Sequence, residues 1–367
     1  MAKRKGNKKN KRNKLLLLIL LLSLSVLLLV MSTYAWFTSN TSVSVEALDV
    51  QVNTVNGLQI STDAVNWKAR VLREDIISAP AEYSTVRNFL PATLDNVSTI
   101  GTVSQGYMQL YHGVVNANET NGHYELSTTL TNELSRTGIC VGDGTSADAT
   151  TGIIGCGGSA TNGDGIYFVA FDLFFKVDAQ TDVVLTPASS VIHYAKNGAN
   201  DVDTGLKNTV RVAFVKEGHV DVGAAASDAQ ALKMASGTYN NASRNIIIWE
   251  PNYDTHTAAG VDNAVNVYGK SRASVEGGTY QDYQGVKAAF SGVYIENANS
   301  TNYSSYFQSV NPNIKTVSDF SGNQTFDTLE AGVTKYRVYW WVEGQDIDTE
   351  NGATGKNMKL NLSFAIA

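Results

Sequence analysis

The sequence predicts an all-β fold, an antiparallel β-sandwich with long loop insertions, preceded by an N-terminal hydrophobic helix. Three observations carry this expectation. Period-two strand patterns recur along the chain, Gly- and Asn-rich turns separate them, and amphipathic helical periodicity is scarce. Only "SDAQALKMAS", residues 227–236, reads as a short helix, capped by Ser227.

The N-terminal helix comes first. "MAKRKGNKKNKRNK" carries eight Lys or Arg and no acid, and Leu15 to Met31 follow with only Ser23 and Ser25 among the apolar residues. A basic flank before such a run reads as a secretory signal or an uncleaved anchor, its basic end cytoplasmic. At about 1.5 Å per residue the run spans roughly 25 Å, short of a ~30 Å hydrocarbon core. Tyr34, Trp36 and Phe37 extend it and suit an interface belt. Thr33-Tyr34-Ala35 also forms an acceptable cleavage triplet, with the cut between Ala35 and Trp36. The division is therefore a basic n-region at 1–14, a signal peptide or anchor at 15–35, and an exported domain at 36–367.

Strands follow in order. Val43 and Val45 alternate with Ser, then Leu48, Val50 and Val52 continue in the opposite phase, as a bulge near Glu46-Ala47 produces. "GIYFVAFDLFFKVDA", residues 165–179, is apolar on one face throughout and on much of the other, as in a central strand. "TVRVAFV" (209–215), "NIIIWEP" (245–251), "YRVYWWVEG" (336–344) and "NMKLNLSFAIA" (357–367) complete the set. Five Asn-Gly pairs, beginning at Asn56, Asn121, Asn162, Asn197 and Asn351, mark tight turns. Residues 92–162 and 253–325 are turn-rich and read as long insertions into one sandwich, with a second small β domain as the alternative.

Charge narrows the function. Without the eight N-terminal positives the chain carries 20 basic and 34 acidic residues, a net of −14. Such a body is unsuited to nucleic acid, and its membrane contact runs through residues 15–37 if these stay uncleaved. Charged residues make up 17%, below the roughly 25% of ordinary soluble domains, and Ser, Thr, Asn and Gly take their place.

Candidate chemistry is sparse. Cys140 and Cys156 are the two cysteines. In an oxidising compartment they form a disulfide by default, closing a loop of about fifteen residues for up to ~3 kcal/mol, with free thiols as the alternative. His112, His123, His193, His219 and His256 are scattered, and no His-Glu-x-x-His arrangement exists. "GIIGCGGSA" (152–160) imitates a dinucleotide fingerprint but leads into turn residues and a strand rather than a helix. "EGQDIDTENG" (343–352) presents Asp346, Asp348 and Glu350 as candidate calcium ligands, although Asn351 and Asn357 break the EF-hand pattern. A solvated loop is the commoner explanation of such a run. Tyr339 and Trp341 point away from Tyr336, Val338, Trp340 and Val342, and form a candidate exposed aromatic surface unless a long loop covers them.

Thr33-Tyr34-Ala35-Trp36-Phe37, followed by Ala47-Leu48-Asp49-Val50, resembles the N-terminal signature of the TasA and camelysin family. "NMKLNLSFAIA" is similar to that family's final strand. The resemblance covers the two ends, and the middle matches only as β-rich sequence. It implies a jelly-roll sandwich, cleavage after Ala35 by a dedicated signal peptidase, and extracellular fibres of the biofilm matrix. In such fibres the freed strand of one subunit completes the sheet of the next, a role that here falls to Val43, Val45, Leu48, Val50 and Val52; the alternative is that this strand pairs within its own sandwich. The partner is then the chain itself or another matrix or surface protein. Two further readings stay open: a membrane-anchored monomeric adhesion or carbohydrate-binding domain, and a camelysin-like metallopeptidase. The first reading needs no enzyme activity and no cofactor, calcium at the 343–352 run aside.

Overall fold

The computed structural model describes residues 43–53, 57–78, 89–91, 93–118, 123–131, 139–142, 153–154, 167–194, 205–266, 284–294, 303–349 and 357–367. The hydrophobic segment 15–37, the cleavage pair Ala35 and Trp36, and Cys156 lie outside them, as does Glu350. Among the described residues no helix is long and apolar enough to cross a membrane.

Two packed sheets form the sandwich. The first runs in the order Gln324–Leu329, Thr181–Leu185, Asn357–Ile366, Val43–Val52, Arg70–Leu72, with Ser190–Tyr194 and Thr93–Leu94 joining Asn357–Ile366 and Val43–Val52. The second is centred on Val169–Val177, Gly332–Val342, Val210–Asp221 and Ile246–Pro251, and continues to Ile314–Thr316 at one edge and Phe89–Pro91 towards the other. Most pairings are antiparallel. Val43–Val52 is parallel to Asn357–Ile366, and Ile246–Pro251 to Ile314–Thr316, because each pair is joined by long connections rather than hairpins.

Alternation decides which side chains meet between the sheets. Phe171, Leu173, Phe175, Phe214, Tyr336 and Trp340 from the second sheet pack against Leu48, Val50, Leu360 and Phe364 from the first. Phe175 meets the Phe364 ring edge-on at 5.1 Å, and Phe326 lies 4.9 Å from Phe364. Each such fully buried side chain contributes about 1.5–3 kcal/mol before ordering costs.

The expected bulge is present. The register of Val43–Val52 against Asn357–Ile366 shifts between Val45 and Ala47. That extra residue lets both phases of the sequence face one core, so Val43, Val45, Leu48, Val50 and Val52 are all buried. Gly57, second residue of the first Asn-Gly pair, has φ 85° where the chain turns out of this strand.

The second sheet is covered on its outer face too. Ala213, Ile248, Tyr339 and Trp341 pack there against Val97, Val103, Met108 and Leu110. The cover comes from both insertions. Leu110–Asn118 pairs with His123–Thr131, and Leu126 in turn lies opposite Val293. The helix in 227–236 forms as Ala226–Ala231, but it starts after Ala225 and has no side-chain cap, so Ser227 lies inside its first turn.

Candidate functional site

The chemically densest part of the described residues is a buried network where Gly332–Val342 leaves the second sheet. Register builds its floor. Arg211 lies beside Trp341 across the ladder, and Val212 beside Trp249, which brings Glu250 diagonally next to Arg211. Val210, Val212 and Phe214 face the sandwich core, so Arg211 points to the outer face. The Arg211 Nη2 atom lies 2.6 Å from both Glu250 Oε1 and Asp346 Oδ2, and Nη1 donates to the Asn208 and Val210 carbonyls.

The loop 343–349 closes over this floor. The Glu343 N–H donates to the Thr209 carbonyl at 2.8 Å, and Gly344 N–H to the Val97 carbonyl at 2.8 Å. Asp348 N–H donates to Asp346 Oδ1 at 2.9 Å. The Asp348 carboxylate accepts four bonds: Thr257 N–H and Oγ1–H on Oδ1, Asn208 Nδ2 and His256 Nδ1 on Oδ2. Thr257 Oγ1 also accepts the Gly260 N–H, which caps the helix Ala258–Asn266. A Cβ on Gly205 or Gly260 would stand 2.7 Å or 2.5 Å from Asp348 atoms, so the carboxylate is gripped from both sides.

Carboxylates outnumber cations here, and their affinities for protons respond. Burial pushes Glu343 up to about 7, against the pull of its hydrogen bonds and of Arg211. Burial also raises Asp346; Arg211 opposes this, and the neighbouring Asp348 charge adds to it. Burial works against a charged His256 ring, but the hydrogen bond to Asp348 and the charges of Asp346 and Asp348 outweigh it, so its pKa is raised. Arg211 is held charged for the same reason, with Glu250, Asp346 and Glu343 overcoming its burial.

Ligand atoms of His256, Asp346 and Asp348 lie within 4.8 Å of one another, a spacing one cation could bridge. The donor arrangement does not favour it. Calcium takes 6–8 oxygens, whereas both Asp348 oxygens already accept N–H or O–H donors and Asp346 is engaged by a guanidinium. As it stands, the network fastens a loop, a helix N-terminus and two strands together.

Of the residues singled out from sequence, Asp346 and Asp348 are brought together, 5% and 0% exposed. The solvated-loop explanation of this run is corrected: the loop is buried because Arg211, His256 and Thr257 supply its hydrogen bonds. Tyr339 and Trp341 do not form an exposed aromatic surface. Both are fully buried beneath the insertions, with Tyr339 Oη accepting the Met108 N–H and Trp341 Nε1 donating to Glu343 Oε2. Cys140 lies in the strand Ile139–Gly142, opposite Ile154, and its pairing with Cys156 falls outside the described residues. Sequence reasoning missed Arg211, Glu250, His256, Asn208 and Thr257 as members of one group. The available signal was a lone charge within each of two otherwise apolar strands, "TVRVAFV" and "NIIIWEP".

A second buried ionic group holds the same sheet further along. Asp172 takes Arg337 Nη1 at 2.8 Å and Lys335 Nζ at 3.0 Å, and Lys335 also donates to the Gln230 and Leu232 carbonyls at the end of the short helix. Glu217 Oε2 beside it accepts the Met234 N–H at 2.6 Å.

The fold thus defines the class, an all-β sandwich whose second sheet carries two buried ionic groups. Scans against protein-family models, curated proteins and solved structures return no match for this chain.

Proposed function

We propose that the chain is an extracellular structural subunit that assembles into fibres, with Val43–Val52 of one copy completing the first sheet of the next. One observation carries this reading. Val43–Val52 is an interior strand whose long pairing runs in parallel to Asn357–Ile366. Among the described residues its other edge is met only by Arg70–Leu72 and Thr93–Leu94, over three and two residues. The same five apolar side chains and the same backbone hydrogen bonds would serve a strand from a second copy equally well. The Ala47-Leu48-Asp49-Val50 part of the N-terminal resemblance and the resemblance of the final segment fall on these two strands, which supports the reading further.

The anchored carbohydrate-binding alternative loses its aromatic surface with the burial of Tyr339 and Trp341. The peptidase reading gains a His–Asp–Asp cluster, but hydrolytic metal sites keep a coordination position open, and here Asp348 is fully buried with both oxygens already accepting protein donors.

The test is N-terminal mass spectrometry of protein from cells and medium, paired with electron microscopy. A mature end at Trp36 together with filaments supports the proposal. An intact leader on a membrane-bound monomer overturns it.

A further inference from the structure

The outer edge of Val43–Val52 is crossed by a strap, residues 58–78, which pairs with that strand through Arg70–Leu72 and is fastened at further points outside it. Its first part, Gln59–Ser61, pairs with Val169–Val177 in the second sheet. Ile60 and Lys68 exchange backbone hydrogen bonds of 3.0 and 2.8 Å, which turn the chain back towards the first sheet. Beyond Arg70–Leu72 a short helix, Arg73–Ser78, begins, and Asp75 in its first turn accepts the Leu72 N–H and contacts Lys68. Val71 and Ile76 bury their side chains in the core. The strap therefore keeps its shape whichever copy fills the groove.

The groove floor alone specifies little. Apolar burial is non-directional, and a two-residue slip of the strand returns the same face to the core. The bulge breaks that symmetry at one end only. On the outward face the ladder holds one ionic contact among the described residues: Arg70 Nε and Nη2 donate to the two Asp49 oxygens at 2.9 and 2.6 Å. This bidentate fork has a fixed direction and length, so it recognises an acid at one register position. Asp49 is 13% exposed at its side chain and Arg70 58%, so the acid is sheltered while the guanidinium stays open to solvent. Besides Asp49, the strand's one other charged residue is Glu46, which lies at the bulge.

We propose that Arg70 is the selectivity residue of strand exchange, admitting to the groove a second copy of this chain in the register that sets Asp49 against it. The inference rests on the strand-exchange reading. Arg70 acts as a positioning residue. It adds register and choice of strand, while the apolar groove supplies most of the affinity.

The experiment uses full-length chains with two different tags, co-expressed in pairs and recovered through one tag. A D49R chain sets Arg against Arg, and an R70D chain sets Asp against Asp, both within the chain and between like copies. Mixed, the two variants restore opposite charges at every junction, because the strand of each meets the opposite charge in the groove of the other. Each variant paired with itself should co-purify roughly ten-fold less than wild type, since like charges at a contact cost about one tenfold step or more. The mixed pair should recover to wild-type level or above, because each chain's own strand fits its own groove poorly. A D49R/R70D chain should behave as wild type and melt with it.

Unchanged self-association of D49R and R70D, with wild-type chains co-purifying, overturns the selector and leaves strand exchange standing. Loss in the single variants that neither the mixture nor the double variant repairs is general destabilisation, and also overturns it. Wild-type chains that never co-purify overturn the strand-exchange reading itself.

Discussion

Asp348 and Thr257 are joined by two hydrogen bonds that end on one oxygen: the Thr257 N–H and hydroxyl both reach Asp348 Oδ1, at 2.9 and 2.8 Å. One carboxylate thereby fixes the entry of a helix and the exit of a central strand. Asp348→Ala leaves Thr257, Asn208 and His256 short of an acceptor, and should lower stability by about 3 kcal/mol. Asp348→Asn keeps the volume and one acceptor oxygen, and should lose less. Denaturant titration of both variants against wild type checks the order.

Arg211 is the permanent cation of that network. Arg211→Met would leave Glu250 and Asp346 buried without their partner, a loss of about 3–5 kcal/mol. An Arg211→Met/Glu250→Met/Asp346→Leu triple variant, which removes both facing charges, should regain much of it. Recovery in the triple variant, read by the same titration, separates a charge effect from a packing effect.

Stability should fall as pH rises from acid to mildly alkaline. Burial, helped by the Asp172 charge, pushes Glu217 up to about 8 from an ordinary 4.5, despite the Met234 N–H and nearby Lys335 and Arg337. Glu343 is pushed up to about 7. The folded chain holds these protons when the unfolded chain has released them. Their contribution is complete below about pH 4.5 and is lost as pH climbs to 7 and 8. His256, also raised, acts in the same direction above its ordinary 6.5. Asp172 runs oppositely. Burial resists its ionisation, but Lys335 and Arg337 hold it down at about 2, so its contribution is present above 3.8 and lost towards 2. Guanidinium titrations at pH 5 and pH 8 should show the decline, and Glu217→Gln should flatten it.

How much of this was legible beforehand follows from the range of each interaction. Strand faces and the bulge in Val43–Val52 were readable because period two is a local property, and a phase change within ten residues has one simple cause. The burial of Tyr339 and Trp341 beneath a long loop was one of the two outcomes the sequence offered, but which segment covers them was not readable. It depends on Leu110–Asn118 and its neighbours folding over the outer face, a contact between distant segments. The network was legible only in halves. Asp346 and Asp348 stood out as adjacent acids, whereas His256 reaches them across a long connection that carries no local mark. Parallel pairing of Val43–Val52 with Asn357–Ile366 lies beyond local patterning for the same reason.

Gly285 packs the two insertions of the outer cover against each other. A Cβ there would stand 2.0 Å from the Thr99 carbonyl oxygen, which is backbone and cannot move aside cheaply. Gly285→Ala should therefore loosen the cover and leave the two main sheets paired. Faster proteolytic cutting within 97–131, with little change in the global transition, is the expected result.

Leu48 lies opposite Leu360 in the parallel ladder, and both are buried. Leu48→Ala should cost about 2–5 kcal/mol, as buried leucines do. If strand exchange operates, the same change should weaken assembly in proportion, read as a shift in the concentration at which filaments form.

The parallel pairing of Val43–Val52 with Asn357–Ile366 also sets a timetable. During synthesis the early strand emerges long before its partner, and every residue between them must be made first. Contacts of such sequence separation are slow to form. Throughout that interval an unclosed groove and an unclaimed strand coexist in each molecule, and crowding of nascent copies brings foreign strands within reach. If strand exchange operates, a molecule closes on itself or joins a neighbour while that strand is still unclaimed, and local concentration biases the outcome.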